Sequence, residues 1–198
     1  MIQEKICFSS RGEWRAWLSS NCRRSSGIWL VLPRKLKREE PQPQLKYWEA
    51  RDEALCFGWI DSTVRAEDDR RIRRYFSPRR ERSLWSRFNK NRVAELIEQN
   101  LMTSQGLEAI ERAKSNGSYF ALDSAEDLVI PPELAEALAR DRKAGAAFDG
   151  LARGQKKRLL SRLVLLKTPE ARARRVRLLV EDLGARARDS RRWAPVFS

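Results

Sequence analysis

The sequence predicts an α+β fold, with a small antiparallel sheet of about three strands packed with helices and then an all-helical bundle. Three observations predict it. A run of β-forming residues from Gly27 to Leu32 is stopped by Pro33. Two strand-like segments, Trp59 to Val64 and Arg71 to Phe76, flank the acidic turn Glu67-Asp68-Asp69 and read as a hairpin. From Pro131 onward the apolar residues recur at helical spacing. The division expected is an α+β domain over 1–122, a helical domain over 123–184 and a basic tail over 185–198. No internal repeat is evident.

Ser10-Arg11-Gly12-Glu13 has the S-x-x-E form of a capping box, so a helix follows, with Trp14, Trp17 and Leu18 on one face. The polar stretch Ser19 to Ser26 is a loop, and the run after it is a buried strand. Arg34 to Gln44 is charged, carries Pro41 and Pro43, and reads as a mobile surface loop. Leu45 to Phe57 is a helix with Tyr47, Ala50, Ala54 and Phe57 along one side, ended by Gly58.

After the hairpin, Ser83 is placed as the N-cap of a helix through Gln99, its inner face carrying Leu84, Phe88, Val93, Leu96 and Ile97. Ser104 to Lys114 is a further helix, with Leu107 and Ile110 inward and Asn116-Gly117 ending it. Tyr119 to Ile130 connects. Pro131-Pro132 opens the next helix, and another spans Gln155 to Leu166. Thr168-Pro169 starts the last one, which buries Val176, Leu179, Val180 and Leu183 and stops at Gly184.

Composition narrows the chemistry. The 198 residues are 41% hydrophobic, enough for a real core, and carry a net charge of +14. A field of that sign draws anionic partners such as nucleic acid, lipid head groups or phosphorylated metabolites; it is equally a property of a solvated, arginine-rich surface. The charge is concentrated in Arg70–Arg92 and Arg153–Arg192. No histidine occurs, which excludes Ser-His-Asp and Cys-His catalysis and any His-ligated metal within this chain. Cys7, Cys22 and Cys56 have no metal-ligand spacing and form no disulfide framework. No metal site and no cofactor are expected. The N-terminus lacks a signal-peptide core and no apolar run is long enough to span a membrane, so the expectation is a cytoplasmic protein.

The stretch from Ala54 to Arg92 is the densest mixture of apolar, aromatic and charged residues. Asp61, on a strand after Trp59 and Ile60, is placed to face Arg79, Arg80 and Arg82. Either those arginines bind an anion while Asp61 orients one of them, or Asp61 is a structural partner fixing the hairpin to the loop. Trp59, Trp85 and Phe76 form either an aromatic wall or core packing. Ser86 and Asn89, at the start of a helix, supply donors beside its positive end. The candidate anion site is therefore Trp59, Asp61, Arg79, Arg80, Trp85, Ser86 and Asn89. The paired acids Asp68-Asp69 and Glu39-Glu40 have no partner that spacing can place, and no catalytic residue is assigned.

Taken in order, LCFGWID (55–61), FSPRRERSLWS (76–86) with Asn89, Pro131-Pro132-Glu133-Leu134 with Ala137-Leu138, and Lys167 to Arg175 resemble the bacteriocin-protection family, also called YdeI/OmpD-associated. The resemblance runs from about Phe8 to Gly184. It implies a bacterial α+β domain followed by the family's helical C-terminal domain. It also implies a link to tolerance of bacteriocins or cationic antimicrobial peptides, and an outer-membrane porin as associate. It implies no reaction. Glu170-Ala171-Arg172 stands where the family often has Glu-Thr-Arg, and the family is sometimes described as periplasmic whereas this chain shows no export signal.

Three readings follow. The first is a non-enzymatic protein binding an anionic ligand or protein partner, linked to antimicrobial-peptide or stress tolerance. The second is a nucleic-acid-binding protein using the basic hairpin and the C-terminal helices. The third is an enzyme that works without histidine or metal through Asp61 and arginines.

Overall fold

The computed structural model describes residues 5–34 and 44–188. The chain divides into two compact units, Met1–Tyr119 and Phe120–Ser198. The fold is α+β, with the sheet in the first unit and helices alone among the described residues of the second.

In the first unit the elements run β1 (Lys5–Ile6), α1 (Arg11–Asn21), β2 (Ile28–Pro33), α2 (Tyr47–Cys56), β3 (Trp59–Ala66), β4 (Arg71–Pro78), α3 (Arg87–Glu98) and α4 (Ser104–Ser115). The sheet order is β1-β2-β4-β3. The strands β2, β4 and β3 are antiparallel as expected, and the two-residue β1 adds a fourth, parallel strand too short to carry a sequence signal. The hairpin is longer than its apolar pattern suggested, reaching Ala66 and Pro78. The outer half of β3 is exposed, whereas β4 beside it is half-buried, with Ile72 against the core, so pairing with β4 sustains β3 there.

Ser10 caps α1 by accepting from the Glu13 amide at 3.2 Å. The Glu13 carboxylate reaches back to the Ser9 backbone and hydroxyl, not to the Ser10 backbone that an ideal capping box would use. Trp14 and Leu18 are fully buried. The Trp14 indole donates to the Ala50 carbonyl at 3.0 Å and sits among Phe8, Trp17, Trp59 and Phe76, with ring centroids 5.3 to 6.4 Å away. Gly58, at φ +72°, ends the α2 segment. A Cβ there would meet the Gln105 carbonyl at 2.9 Å, so the glycine serves both the turn and the approach of α4.

Two helix faces differ from expectation. The N-cap of α3 is Ser86, which accepts from the Asn89 amide at 3.3 Å, and not Ser83. The preceding segment is held out of the helix because Arg79 draws on the Ser83 hydroxyl and the Leu84 carbonyl. Starting three residues later, α3 buries Val93 and Leu96 and leaves Leu84, Phe88 and Ile97 exposed. In α4 Leu107 is also exposed, while Gly106, Ala109, Ile110 and Ala113 face inward. Small residues set that face because α4 closes onto the end of α2, where a Cβ on Gly106 would stand 2.2 Å from the Cys56 carbonyl.

The second unit holds α5 (Asp123–Glu126), α6 (Pro132–Arg140), α7 (Arg142–Asp149), α8 (Arg153–Val164) and α9 (Pro169–Arg188). Helix α7 was not expected. Asp141 breaks the chain after α6 and caps α7, accepting from the Lys143 and Ala144 amides at 3.0 Å each. The last helix does not stop at Gly184 but continues to Arg188. There the glycine is a close-approach position: a Cβ on it would lie 3.1 Å from a carboxylate oxygen of Asp141. The core joins Leu134, Leu138, Phe148, Leu160, Leu163, Val176, Leu179 and Leu183. The loop expected over Arg34 to Gln44 falls, apart from its two ends, outside the described residues, as does the basic tail beyond 188. No helix among the described residues is long and apolar enough to cross a membrane.

Candidate functional site

Helix α2 carries the sequence Arg51-Asp52-Glu53 in its middle, and both acids are buried. Glu53 accepts from Arg11 and from Arg15, the latter at 2.6 Å, so α1 is clamped to α2 by two arginines on one carboxylate. Asp52 accepts from Arg51 at 2.7 Å and from Arg92 of α3 at 2.6 Å. Such pairs hold orientation well; their net stabilisation is small, because desolvation consumes much of the Coulomb gain. Between α2 and α3 lies a groove of about 480 Å³, walled by Trp48 and Phe88 and floored by Arg51, Asp52 and Arg92, with Asn91 and Glu95 on its rim. Trp48 and Phe88 are 54% and 59% exposed, unusual for rings of that size, and the Arg51 guanidinium lies 4.5 Å from the Phe88 centroid.

Beside this groove, Tyr47 donates its hydroxyl to Asp61 at 3.1 Å, and Arg74 pairs with the same carboxylate oxygen. The Arg74 guanidinium lies 4.0 Å from the centre of the Tyr47 ring. Asp61 is therefore committed to Arg74 and Tyr47. The expected pairing with Arg79, Arg80 or Arg82 is not formed. Strand register accounts for this: Asp61 lies opposite Phe76, and Arg74, two residues along β4, shares that face as a diagonal neighbour. Burial raises the Tyr47 hydroxyl above the ordinary phenol range, with the Asp61 charge adding to the effect.

Arg79 is the outlier. Only 6% exposed, it stacks on Trp85 with its guanidinium carbon 3.7 Å from the ring centroid. Nη1 donates to the Ser83 hydroxyl at 3.3 Å and to the Leu84 carbonyl at 3.2 Å. Nε and Nη2, the edge that grips a carboxylate or phosphate side-on, are buried and have no hydrogen-bond partner among the described residues. Burial pushes the guanidinium down to about 10, and the field of Asp61 opposes that shift. At neutral pH the charge is retained, without an acid in contact.

The other expected members are spread out. Trp59 is core: it is 1% exposed, donates to the Cys22 carbonyl at 3.2 Å, and meets Trp14 and Trp17 edge-on. Trp85 is buried beneath Arg79. Arg80 is exposed and joins the site only through its carbonyl, which accepts from the Ser83 amide. Ser86 and Asn89 form the capped first turn of α3, next in sequence to Trp85. Sequence reasoning missed Asp52 and Glu53. A signal for Glu53 was present, because it lies on the apolar stripe Ala50-Ala54-Phe57 where a lone acid demands a partner. No metal-holding group of acids or cysteines occurs among the described residues. Burial raises the Cys56 thiol to about 11, with Glu53 adding to the shift, which rules it out as a ready nucleophile.

These features define an α+β protein whose first unit is organised by buried arginine–carboxylate pairs and whose second is a helical bundle. Residues 6–109, just over half of the chain, match the family model of a domain of unknown function, DUF8412, and the chain belongs to that family. Residues 127–186 match the family model "Bacteriocin-protection, YdeI or OmpD-Associated", so the expected resemblance holds for the helical unit. No curated protein and no solved structure matches the chain.

Proposed function

We propose that the chain is a non-enzymatic binding protein whose first unit takes up an oxyanion, a carboxylate or phosphate group of a ligand or partner, at Arg79 and the first turn of α3. The observation that carries the reading is the buried, unmatched Nε–Nη2 edge of Arg79. A guanidinium withdrawn from water without a counter-charge is costly, and a two-oxygen anion relieves that cost. The start of α3, with amides that lack intrahelical acceptors, adds positive potential nearby. Of the seven expected residues, we assign Arg79, Trp85, Ser86 and Asn89 to the site; Trp59 packs in the core, Asp61 acts on Arg79 through its charge, and Arg80 stands at the surface. Both unmatched atoms are out of reach of solvent, so entry requires neighbouring groups to move.

A non-enzymatic role is supported by the state of the nearby carboxylates. Asp52, Glu53 and Asp61 are each spent on arginines, so none is disposed as a general base. The second unit's family supplies the setting, protection against bacteriocins or related antimicrobial peptides, with the bound anion as the event that Arg79 senses. The test is titration of the full chain with sulfate, inorganic phosphate and citrate, followed by calorimetry. Binding is expected to weaken about tenfold or more in Arg79→Lys, which keeps the charge and loses the fork. Equal binding by wild type and Arg79→Lys overturns the proposal.

A further inference from the structure

The sheet has a second face that the site above does not use. Ile28, Leu30 and Leu32 of β2 point into the core and are 0–1% exposed, so Trp29 points the other way. In register beside it stand Lys5 on β1 and Tyr75 on β4. One row along, Arg73 pairs with Arg65, and Arg71 follows at the end of β4. Trp29 and Tyr75 are both partly exposed and belong to neither hydrophobic core. Their ring centroids are 5.3 Å apart, and the Arg65 and Arg73 guanidinium carbons lie 5.4 and 5.5 Å from the Trp29 centroid.

The aromatic pair is held in place. The Tyr75 hydroxyl donates to the Ser26 carbonyl at 3.4 Å. Gly27, at φ +146°, makes room for it, since a Cβ there would lie 2.1 Å from the Tyr75 oxygen. Side chains that served only solubility would not need a glycine to seat them. The cations are placed as well. Glu67 pairs with Lys5 and Arg73, Asp68 pairs with Arg71, and Arg65 makes no ion pair among the described residues. Four cations thus face two carboxylates, leaving a surplus of positive charge around two flat rings.

We infer that this face is a stacking platform for single-stranded nucleic acid, with bases on Trp29 and Tyr75 and the phosphate backbone along Lys5, Arg65, Arg71 and Arg73. Flat rings accept any base, and an adjoining cationic track follows the backbone. A duplex would keep its bases stacked out of reach of the rings.

The experiment is fluorescence anisotropy of the full chain with a 5′-labelled 12-nucleotide oligo-dU, with an abasic strand of equal charge as the comparison probe, over a salt series. The oligonucleotide is expected to bind more tightly than the abasic strand. Trp29→Ala/Tyr75→Leu is expected to weaken oligonucleotide binding about tenfold or more and leave the abasic strand unaffected. Arg65→Ala/Arg73→Ala is expected to weaken both and to flatten the salt dependence, because each neutralised phosphate releases counterions. Thermal midpoints identify any variant that fails to fold, and Trp29→Ala alone then serves, since Tyr75 keeps its seat. Equal binding of the two probes, wild-type affinity in the aromatic variant, or no binding at about 50 mM salt overturns the inference. Sulfate binding at Arg79 is read separately and does not depend on these residues.

Discussion

The two units bury different things. The second is aliphatic, its core made of leucines, valines and alanines around Phe148, and Glu126 is its one strongly buried ionisable side chain among the described residues. The first buries three tryptophans to 1% exposure or less, together with Asp52, Glu53 and Arg79. A bundle that needs only stability is built from apolar stripes. A unit that spends free energy on withdrawing charge from water has bought orientation, and the place where that charge lacks a partner is where a ligand would contribute most.

The sharpest test of the contrast is the clamp on Glu53. Its carboxylate is fully buried, whereas the side chains of Arg11 and Arg15 are 38% and 36% exposed. Removing both arginines strands the carboxylate, so Arg11→Ala/Arg15→Ala should destabilise the first unit by about 3–5 kcal/mol. Adding Glu53→Met to that double variant should restore most of the loss, because an apolar side chain of similar length suits the apolar surroundings. Urea unfolding followed by circular dichroism measures both. If the double variant costs less than about 1 kcal/mol, Glu53 is not held by charge.

For the second unit the corresponding change is apolar. Leu134 is fully buried in the core, and Leu134→Ala should cost about 2–5 kcal/mol through lost transfer energy and a residual cavity. No charge-reversing partner should rescue it. A rescue of that kind would show that the units are not built differently after all.

The same contrast explains how far sequence carried. The helices of the second unit were legible because their periodicity and prolines act locally: Pro132 and Pro169 open helices as expected. The missed boundary at Asp141 and the misread Gly184 share one cause, since the glycine and that carboxylate approach each other across α7 and α9, a tertiary contact invisible in either segment. In the first unit the strands β2, β3 and β4 were legible from alternation and the turn. The face of α3 was not, because Arg79 captures the Leu84 carbonyl and delays the helix by a turn. Within the stretch from Ala54 to Arg92, the partner of Asp61 was not legible. Asp61 had several arginines within sequence reach, and only the register of β3 on β4 selects Arg74.

A smaller effect concerns pH. Burial raises the Cys56 thiol from 9.0 to about 11. Its folded form therefore holds a proton that the unfolded chain gives up, and the stability it contributes is complete below pH 9 and lost as pH rises through about 11. Replacing Cys56 by Ala should flatten the fall in stability over that window, by no more than about 3 kcal/mol. At pH 8 a thiol reagent should modify exposed Cys7 rapidly and leave Cys22 and Cys56 until the chain unfolds.

The smallest expected change in stability is the most informative about function. Arg79→Met removes a stacking contact with Trp85 and two hydrogen bonds, worth a few kcal/mol in total, but it also removes the cost of keeping a guanidinium out of water without a counter-ion. These terms oppose each other, so the anion-free variant should lie within about 1 kcal/mol of wild type. In saturating sulfate the two should separate, because only the wild type gains the stabilisation that a bound ligand confers on the folded state. Thermal midpoints with and without sulfate, with sodium chloride at matched ionic strength as the control, give the comparison. Were the variant strongly destabilised without anion and the gap unchanged by sulfate, Arg79 would be a structural residue whose unmatched edge is met inside the fold, and the first unit would differ from the second only in how it packs.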